Sequence, residues 1–390
     1  MTLMDELEIL RGEPIQRMPD MESIPCNETS DISRLCENPV VSVKMLAYNH
    51  EPYIRQAIES VLSQETDFPY ELLIGEDAST DKTRKICFEY QQRYPEKVRV
   101  LWSEKNVGQC ANGLRIINRC RGEYIAYCEG DDYWVDSKKL QKQVDILRKY
   151  PSVGMVFAKA MIDYTTIGKK CIWNENQSLP SGVIPGRTFF IWHLFGRHLG
   201  KLANGETFLM TGSVMLRREL RAKANKEYEI FDLQMRLTDT TTWLAMSSFA
   251  DVYYLPEVVS AYRQLSTGAC CSNPTGVARD AQLIRLYFAD CKLPGGLRTI
   301  PRCFKYGFLT GYNRLFSPDT KEKNKIWLKK IFSTRLGRNI WGAWYNRPIV
   351  LLLYLFGYTP CVQRWINRYN RHFQRHLSNG REIERIYSSL

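Results

Sequence analysis

VSVKMLAYNHEPYIRQAIESVL, residues 41–62, is the passage from which the rest of the chain can be read. Residues 40–47 are a β-branched, apolar run ending at Tyr48-Asn49-His50. Pro52 then stands where a first helical turn accepts proline, and Ile54, Ala57, Ile58, Val61 and Leu62 recur at helical spacing. A strand hands over to a helix, and the hand-over repeats downstream. Residues 71–74 predict a second strand, followed by a Ser79 or Thr80 cap and a helix that Pro95 ends. Residues 98–102 predict a third strand, 109–119 a third helix and 123–128 a fourth strand. Asp136 caps a helix that runs through Lys149 and stops at Pro151, and residues 153–162 return as a strand. Alternation at this pace predicts an α/β fold, Rossmann-like, with a mostly parallel sheet and helices on both faces. Beyond it the pattern loosens into a Gly- and Pro-rich stretch at 180–186, a helix near 188–198, a strand around 211–216 and a helix after Asp239.

Three acidic clusters follow predicted strands or open a helix: Glu76-Asp77, Glu129-Gly130-Asp131-Asp132 and Asp239. Right-handed crossovers put all the parallel strands' carboxyl ends on one side, where such sheets bind ligands, so Tyr48-Asn49, Glu76-Asp77 and 129–132 should meet in space. Carboxylates gathered in a crevice repel one another unless a cation or a raised pKa relieves them. Neither a Gly-x-x-x-x-Gly-Lys loop nor a Gly-x-Gly-x-x-Gly turn after the first strand is present to cradle phosphate. A hard divalent ion, Mg²⁺ or Mn²⁺, held by one or two carboxylates and by phosphate oxygens fits that combination. The expectation is a metal-dependent enzyme that handles a diphosphate-bearing donor.

With 390 residues, 44% hydrophobic and 12% aromatic, the chain is long enough for one large domain and an appendage, which excludes a disordered or disulfide-scaffold protein. The twelve cysteines include the adjacent pair Cys270-Cys271 but no Cys-x-x-Cys, so they read as buried thiols in a reducing cytoplasm. The opening MTLMDELEILRGEPIQRMPD carries acids where a signal peptide needs a positive start, so nothing there directs secretion. The net charge of +12 is unevenly placed: residues 293–390 hold 18 Lys and Arg against 4 Asp and Glu, and the first 292 hold 36 against 38. The expected organisation is an N-terminal extension of uncertain order (1–38), a catalytic domain (39–268) and a basic, mainly helical C-terminal region (269–390).

Taken together, VSVKMLAYNHEPYIRQAIESVL, ELLIGEDASTDKT (71–83), EKNVGQCANGL (104–114) and GEYIAYCEGDDYW (122–134) resemble the family 2 inverting glycosyltransferases, whose α/β nucleotide-sugar domain is called GT-A. The resemblance is strongest over 40–149 and continues more weakly to 268. It implies that Tyr48, with Asn49 beside it, packs on or near the nucleobase and that Asp77, next to Glu76, accepts a hydrogen bond from the base imide. Asn106 is either a donor-side contact or an Asx turn closing its loop. In the family's Asp-x-Asp motif, matched here by 129–132, Asp131 is the metal ligand and Asp132 binds metal or ribose, with Gly130 allowing close backbone approach to the donor. Glu129 replaces the commoner Asp at the first place.

LTDTTTWLAM (237–246) resembles a later family motif in which an Asp beside the acceptor acts as general base, a role carried by Asp239 here; the rival reading is a helix cap. Tyr262-Arg263 resembles a Tyr-Arg pair whose Arg contacts the departing diphosphate, although Leu265 stands where the family's His is usual. Thr211-Gly212-Ser213 either lines the acceptor pocket or simply starts a strand. The remaining His and Trp residues, including Trp192-His193, read as packing. The implied reaction is a single inverting displacement of hexosyltransferase type from a nucleoside-diphosphate sugar, a UDP-sugar favoured, to a glycan or lipid-linked acceptor in polysaccharide or glycolipid synthesis.

Residues 348–360 contain an apolar run of only 349–356, too short for a bilayer span of about 20 residues. Val362, Trp365, Ile366, Tyr369 and Phe373 follow one helical stripe, and Arg364, Arg368, Arg371 and Arg375 another. Residues 348–378 therefore suit an anionic membrane surface or, equally, packing on the catalytic domain, and no recognition motif accompanies the charge to suggest nucleic acid. The expected location is the cytoplasm, or the inner face of the membrane if the tail attaches there. Two other functions compete: a nucleotidyltransferase that makes a sugar nucleotide, which would want a Gly-rich N-terminal loop with a basic residue, and a catalytically inactive membrane-associated adaptor.

Overall fold

The computed structural model describes residues 2–173, 175, 179–195, 209–236, 238–266, 268, 272–292, 321–335 and 337–338. The amphipathic stripes of 348–378 and the pair Cys270-Cys271 lie outside these. The chain divides into two compact units, residues 17–232 with 242–272, and residues 1–16 with 233–241 and 273–390.

The larger unit is built on one mixed sheet. β2 (Val41–Ala47), β3 (Tyr70–Glu76), β4 (Val98–Trp102) and β5 (Tyr124–Tyr127) pair in parallel in the order β4-β3-β2-β5, with helices α2 (Ile54–Leu62), α3 (Thr83–Arg93) and α4 (Gln109–Ile117) in the crossovers. β1 (Asn27–Thr29) closes one edge antiparallel to β4. Beyond β5 lie β10 (Met215–Arg217), antiparallel to both neighbours, then β7 (Val153–Tyr164) and β11 (Asp251–Arg263), parallel to each other. β6 (Tyr133–Trp134) ends the row against β11.

Alternation along the strands explains why helices cover both faces. Val41, Val43, Met45, Leu72 and Ile74 point to one side and are buried with Ile54, Ile58, Val61, Ile86 and Tyr90 of α2 and α3 and with Leu140, Val144 and Leu147 of α5 (Lys139–Lys149). Leu73, Leu101, Ile125 and Tyr127 point to the other side and pack with Ile116 of α4, Phe189 of α6 (Gly186–Phe195) and Trp243 and Met246. Tyr127 and Trp243 meet edge to face at 5.6 Å.

In the second unit the N-terminal segment is ordered, contrary to the uncertain order expected of it. α1 (Leu3–Arg11) begins with a capping box in which the Thr2 hydroxyl accepts from the Asp5 amide and the Asp5 carboxylate accepts from the Thr2 amide. Gly12 closes it in a left-handed conformation, and Leu7 and Leu10 are fully buried. Helices over Pro274–Lys292 and Lys321–Ser333 belong to the same unit. Among the described residues no helix is long and apolar enough to cross a membrane.

Candidate active site

The parallel strands β2, β3 and β5 end on the same side, and the loops that leave them are tied to one another. The Asp77 amide donates to the Ala47 carbonyl at 3.0 Å, and the Gly130 amide to the Leu46 carbonyl at 2.8 Å. Asn49 and Ala78 both adopt positive φ, 55° and 58°, a conformation non-glycine side chains avoid. The two strained turns brace each other: the Asn49 carboxamide oxygen accepts from the Thr80 amide at 2.8 Å, and the Asn49 amide donates to Ser79 Oγ at 3.0 Å. Tyr48 stands at this edge with 45% of its surface exposed.

Glu76 and Asp77 have different environments. Glu76 is fully buried, gripped by Arg84 Nε at 2.6 Å and by the Ser79 amide at 2.6 Å. Asp77 builds the neighbouring loop: its two carboxylate oxygens accept from the Val107 and Gly108 amides at 2.8 and 3.0 Å, and its carbonyl accepts from the Asn106 side chain at 2.9 Å. Asn106 also accepts from the Gly108 amide at 3.0 Å, which is the Asx turn. Gly108 has φ +83°, and α4 starts at the next residue. Burial raises the Asp77 pKa against the pull of those amides and of Arg115. Arg115 is itself buried and bonds the carbonyls of Glu76 at 2.5 Å and Pro25 at 3.1 Å and Ser103 Oγ at 3.0 Å, so it fixes the ends of β3 and β4 from below.

The acidic turn after β5 lies against the end of β2. A Cβ at Gly130 would meet His50 Nδ1 at 2.7 Å, the Leu46 carbonyl at 2.8 Å and Ile54 Cδ1 at 3.0 Å, so the close approach that requires glycine is to the protein itself. Glu129 faces Lys44 at 3.5 Å and accepts from the Leu46 amide at 3.2 Å. Asp132 turns inward, accepting from the Arg263 amide at 2.8 Å, and its pKa is pushed well up by burial and then by the negative charge of Asp131. Asp131 is the more open carboxylate, with His50 Nε2 3.9 Å away. His50 Nδ1 is buried without a hydrogen-bond partner. His50, read from sequence as packing like the other unassigned histidines, thus lies beside the acidic turn.

Arg263 fastens this turn. Its guanidinium donates to the Asp131 carbonyl at 2.5 Å and to Gln56 Oε1, and it lies over the rings of Tyr133 and Tyr53 at 4.5 and 5.1 Å. Thr211–Ser213 form a single 3₁₀ turn before β10 rather than the start of the strand. Gly212 offers its carbonyl to the Trp134 indole at 3.0 Å, and the Ser213 carbonyl accepts from Gln143 at 2.8 Å. Asp239 is the second residue of the helix Thr238–Ser247, in the first turn rather than at the cap, with its carboxylate accepting from the Thr240 amide at 3.2 Å. It belongs to the smaller unit.

Among the described residues no group of three or more His, Cys, Asp or Glu side chains forms a ready-made metal cage. Asp131, with Asp132 one residue on, matches a divalent ion that draws most of its ligands from water and phosphate, as Mg²⁺ does. Asp131 adds to the burial that raises the Asp132 pKa, and a cation between the two carboxylates would offset that smaller, electrostatic part.

Residues 42–221 match the family model described as glycosyl transferase family 2. An uncharacterized protein of Mycobacterium tuberculosis is 31% identical over 233 residues, 58% of this chain and 60% of that protein. TuaG of Bacillus subtilis, provisionally named as a teichuronic acid biosynthesis glycosyltransferase, is 35% identical over 109 residues, 28% of this chain and 42% of TuaG. The chain thus spans less than two thirds of these relatives. In fold it is similar to Staphylococcus aureus TarS 1–349, solved in complex with UDP-GlcNAc: TM-score 0.54, 16% identity, 85% of this chain and 89% of that one. Residues 42–221 thus resemble glycosyl transferase family 2, and the chain has a GT-A-type fold.

Proposed function

We propose that the chain is an inverting, metal-dependent hexosyltransferase that moves a sugar from a nucleoside-diphosphate sugar, a UDP-sugar first among candidates, to a hydroxyl of a glycan or lipid-linked acceptor in cell-surface polysaccharide or glycolipid synthesis. The observation that carries this reading is the convergence of three loop segments, 48–50, 77–80 and 129–132, at the carboxyl ends of parallel strands in a family 2 domain. Tyr48, exposed at the crevice edge, packs on the nucleobase. Asp77 holds the 106–108 loop with one lone pair on each oxygen, which leaves acceptor capacity for the base imide. Asp131 holds the divalent ion, Mn²⁺ or Mg²⁺, which when bound supplies charge stabilisation to the leaving diphosphate. Asp132 and Arg263 set the shape of that turn, and Arg263 acts on the diphosphate side through it. Thr211-Gly212-Ser213 stand on the acceptor side. Asp239 takes the proton from the acceptor hydroxyl as it attacks the anomeric carbon. The protein works in the cytoplasm, reaching the inner face of the membrane where lipid-linked acceptors lie.

Asn at position 239 preserves size and hydrogen bonding but cannot accept the proton. Asp239→Asn is expected to abolish turnover while donor affinity, read by calorimetry, stays within about twofold. Turnover comparable to the parent enzyme would remove Asp239 from the mechanism.

A further inference from the structure

Asp239 sits three residues after Arg236, and residues 234–236 lie outside any helix or strand. What orients a stretch without a ladder of its own is whatever its amides and side chains bond to. The Gln234 amide donates to the Gln16 carbonyl at 2.8 Å. The Arg236 amide donates to Asp280 Oδ2 at 2.8 Å, and the Arg236 guanidinium reaches Asp280 Oδ1 at 3.3 Å and Glu13 Oε2 at 3.4 Å. Asp280 lies in the helix Pro274–Lys292 and is fully buried. Arg11, the last residue of α1, completes the cluster: its Nη2 donates to Asp280 Oδ2 at 3.2 Å and its Nε lies 3.0 Å from Asp280 Oδ1. Glu13 in turn accepts from Arg279 at 3.1 Å. All these residues belong to the smaller unit, and none lies within the matched family segment.

We propose that Asp280 is a positioning residue for the transfer reaction: clamped by Arg11, it holds the backbone of Arg236 and thereby fixes where Asp239 stands. The proposal rests on the reading of Asp239 as the base. A carboxylate so enclosed is the one acceptor that can take the Arg236 amide and two guanidinium groups together, because each oxygen accepts two bonds. The N-terminal helix therefore bears, through Asp280, on the segment that leads to Asp239. An Asn here keeps the shape but loses one acceptor oxygen and the charge, so the 234–236 segment loosens while the donor-side loops, built by other residues, keep their form.

The test uses the full chain with the nucleoside-diphosphate sugar that stabilises it most among UDP-, GDP- and dTDP-sugars in the presence of Mn²⁺. Asp280→Asn is expected to lower kcat by about tenfold to a hundredfold, the scale of a small misplacement of a reacting group, with KM for the donor changed no more than about threefold. Amide hydrogen exchange at 234–236 should accelerate about tenfold, while the Val107 and Gly108 amides exchange as before. Asp280→Glu, which restores charge and acceptors, should recover part of kcat. Should Asp280→Asn fail to fold, Arg236→Lys is read by the same three measurements. Unchanged kcat, unchanged exchange at 234–236, or a fall carried by KM overturns the proposal. Asp239→Asn is run alongside: full turnover there refutes the base assignment on its own, whereas the exchange rates still report whether Asp280 holds the segment.

Discussion

Lys139 offers a stability prediction whose size follows from its surroundings. The side chain is fully buried at the start of α5, its ammonium 4.2 Å from the centre of the Trp134 ring and 2.8 Å from Gln143 Oε1. Burial pushes its pKa down from 10.5 to about 7, with Cys128 and Asp136 opposing. Below pH 7 the lysine is charged whether the chain is folded or not, so the folded state carries the full desolvation cost. Between 7 and 10.5 the unfolded chain keeps a proton that the folded chain has released. Stability therefore rises with pH across that window, by about 1.4 kcal/mol per unit. From about pH 6 to about pH 9 the gain is roughly 3 kcal/mol. Lys139→Met lacks this term, although it leaves Gln143 Oε1 without its donor at every pH. The stability difference between the two proteins, measured by urea unfolding at both pH values, should shift by roughly 3 kcal/mol in favour of the parent as pH rises, with the Met variant comparing best at pH 6. Taking the difference cancels every other titrating group that the substitution leaves alone. A gap that stays constant within about 0.5 kcal/mol would refute the claim that burial drives Lys139 to release its proton in the folded state.

Two further substitutions probe the acidic turn. Gly130→Ala drives a methyl group against a backbone carbonyl and the His50 ring, an overpacking cost of about 1–3 kcal/mol; thermal unfolding should show a loss of several degrees, with weakened nucleotide binding by calorimetry. Arg263→Lys keeps the amide that bonds Asp132 but cannot reach both Gln56 and the Asp131 carbonyl, so it should cost about 1–3 kcal/mol of stability and weaken donor binding, a change that calorimetry reads directly.

Local pattern made the parallel half of the larger unit legible. The strand and helix alternation expected from residue 40 to residue 162 corresponds to β2 through β5, α2 through α5 and β7, because apolar residues on buried strands and amphipathic helices leave a strong signature, whereas the two-residue β6 was not expected. The start of α3 was misplaced for a physical reason: Ser79 and Thr80 are spent bracing Asn49, and it is Asp81 that accepts from the Thr83 amide. α1 escaped notice because its order comes from tertiary burial of Leu7 and Leu10, while the box at Thr2 uses Asp where Glu or Gln is the recognisable partner. Family motifs supplied the acidic site residues, yet the partners that orient them were invisible. Arg11 and Asp280 are 269 residues apart, and a lysine such as Lys139 reads as a solvated charge until its neighbours are known.

The central claim is that a divalent ion held at Asp131 grips the diphosphate of a sugar donor. The direct measurement is the thermal unfolding of the full chain against a panel of nucleoside-diphosphate sugars, with Mn²⁺ or with EDTA, for the parent and for Asp131→Asn. A donor at about a hundred times its Kd should stabilise the parent by about 2.7 kcal/mol with Mn²⁺, and this gain should vanish in EDTA and in Asp131→Asn. Stabilisation that survives both EDTA and the loss of the Asp131 carboxylate would contradict the account.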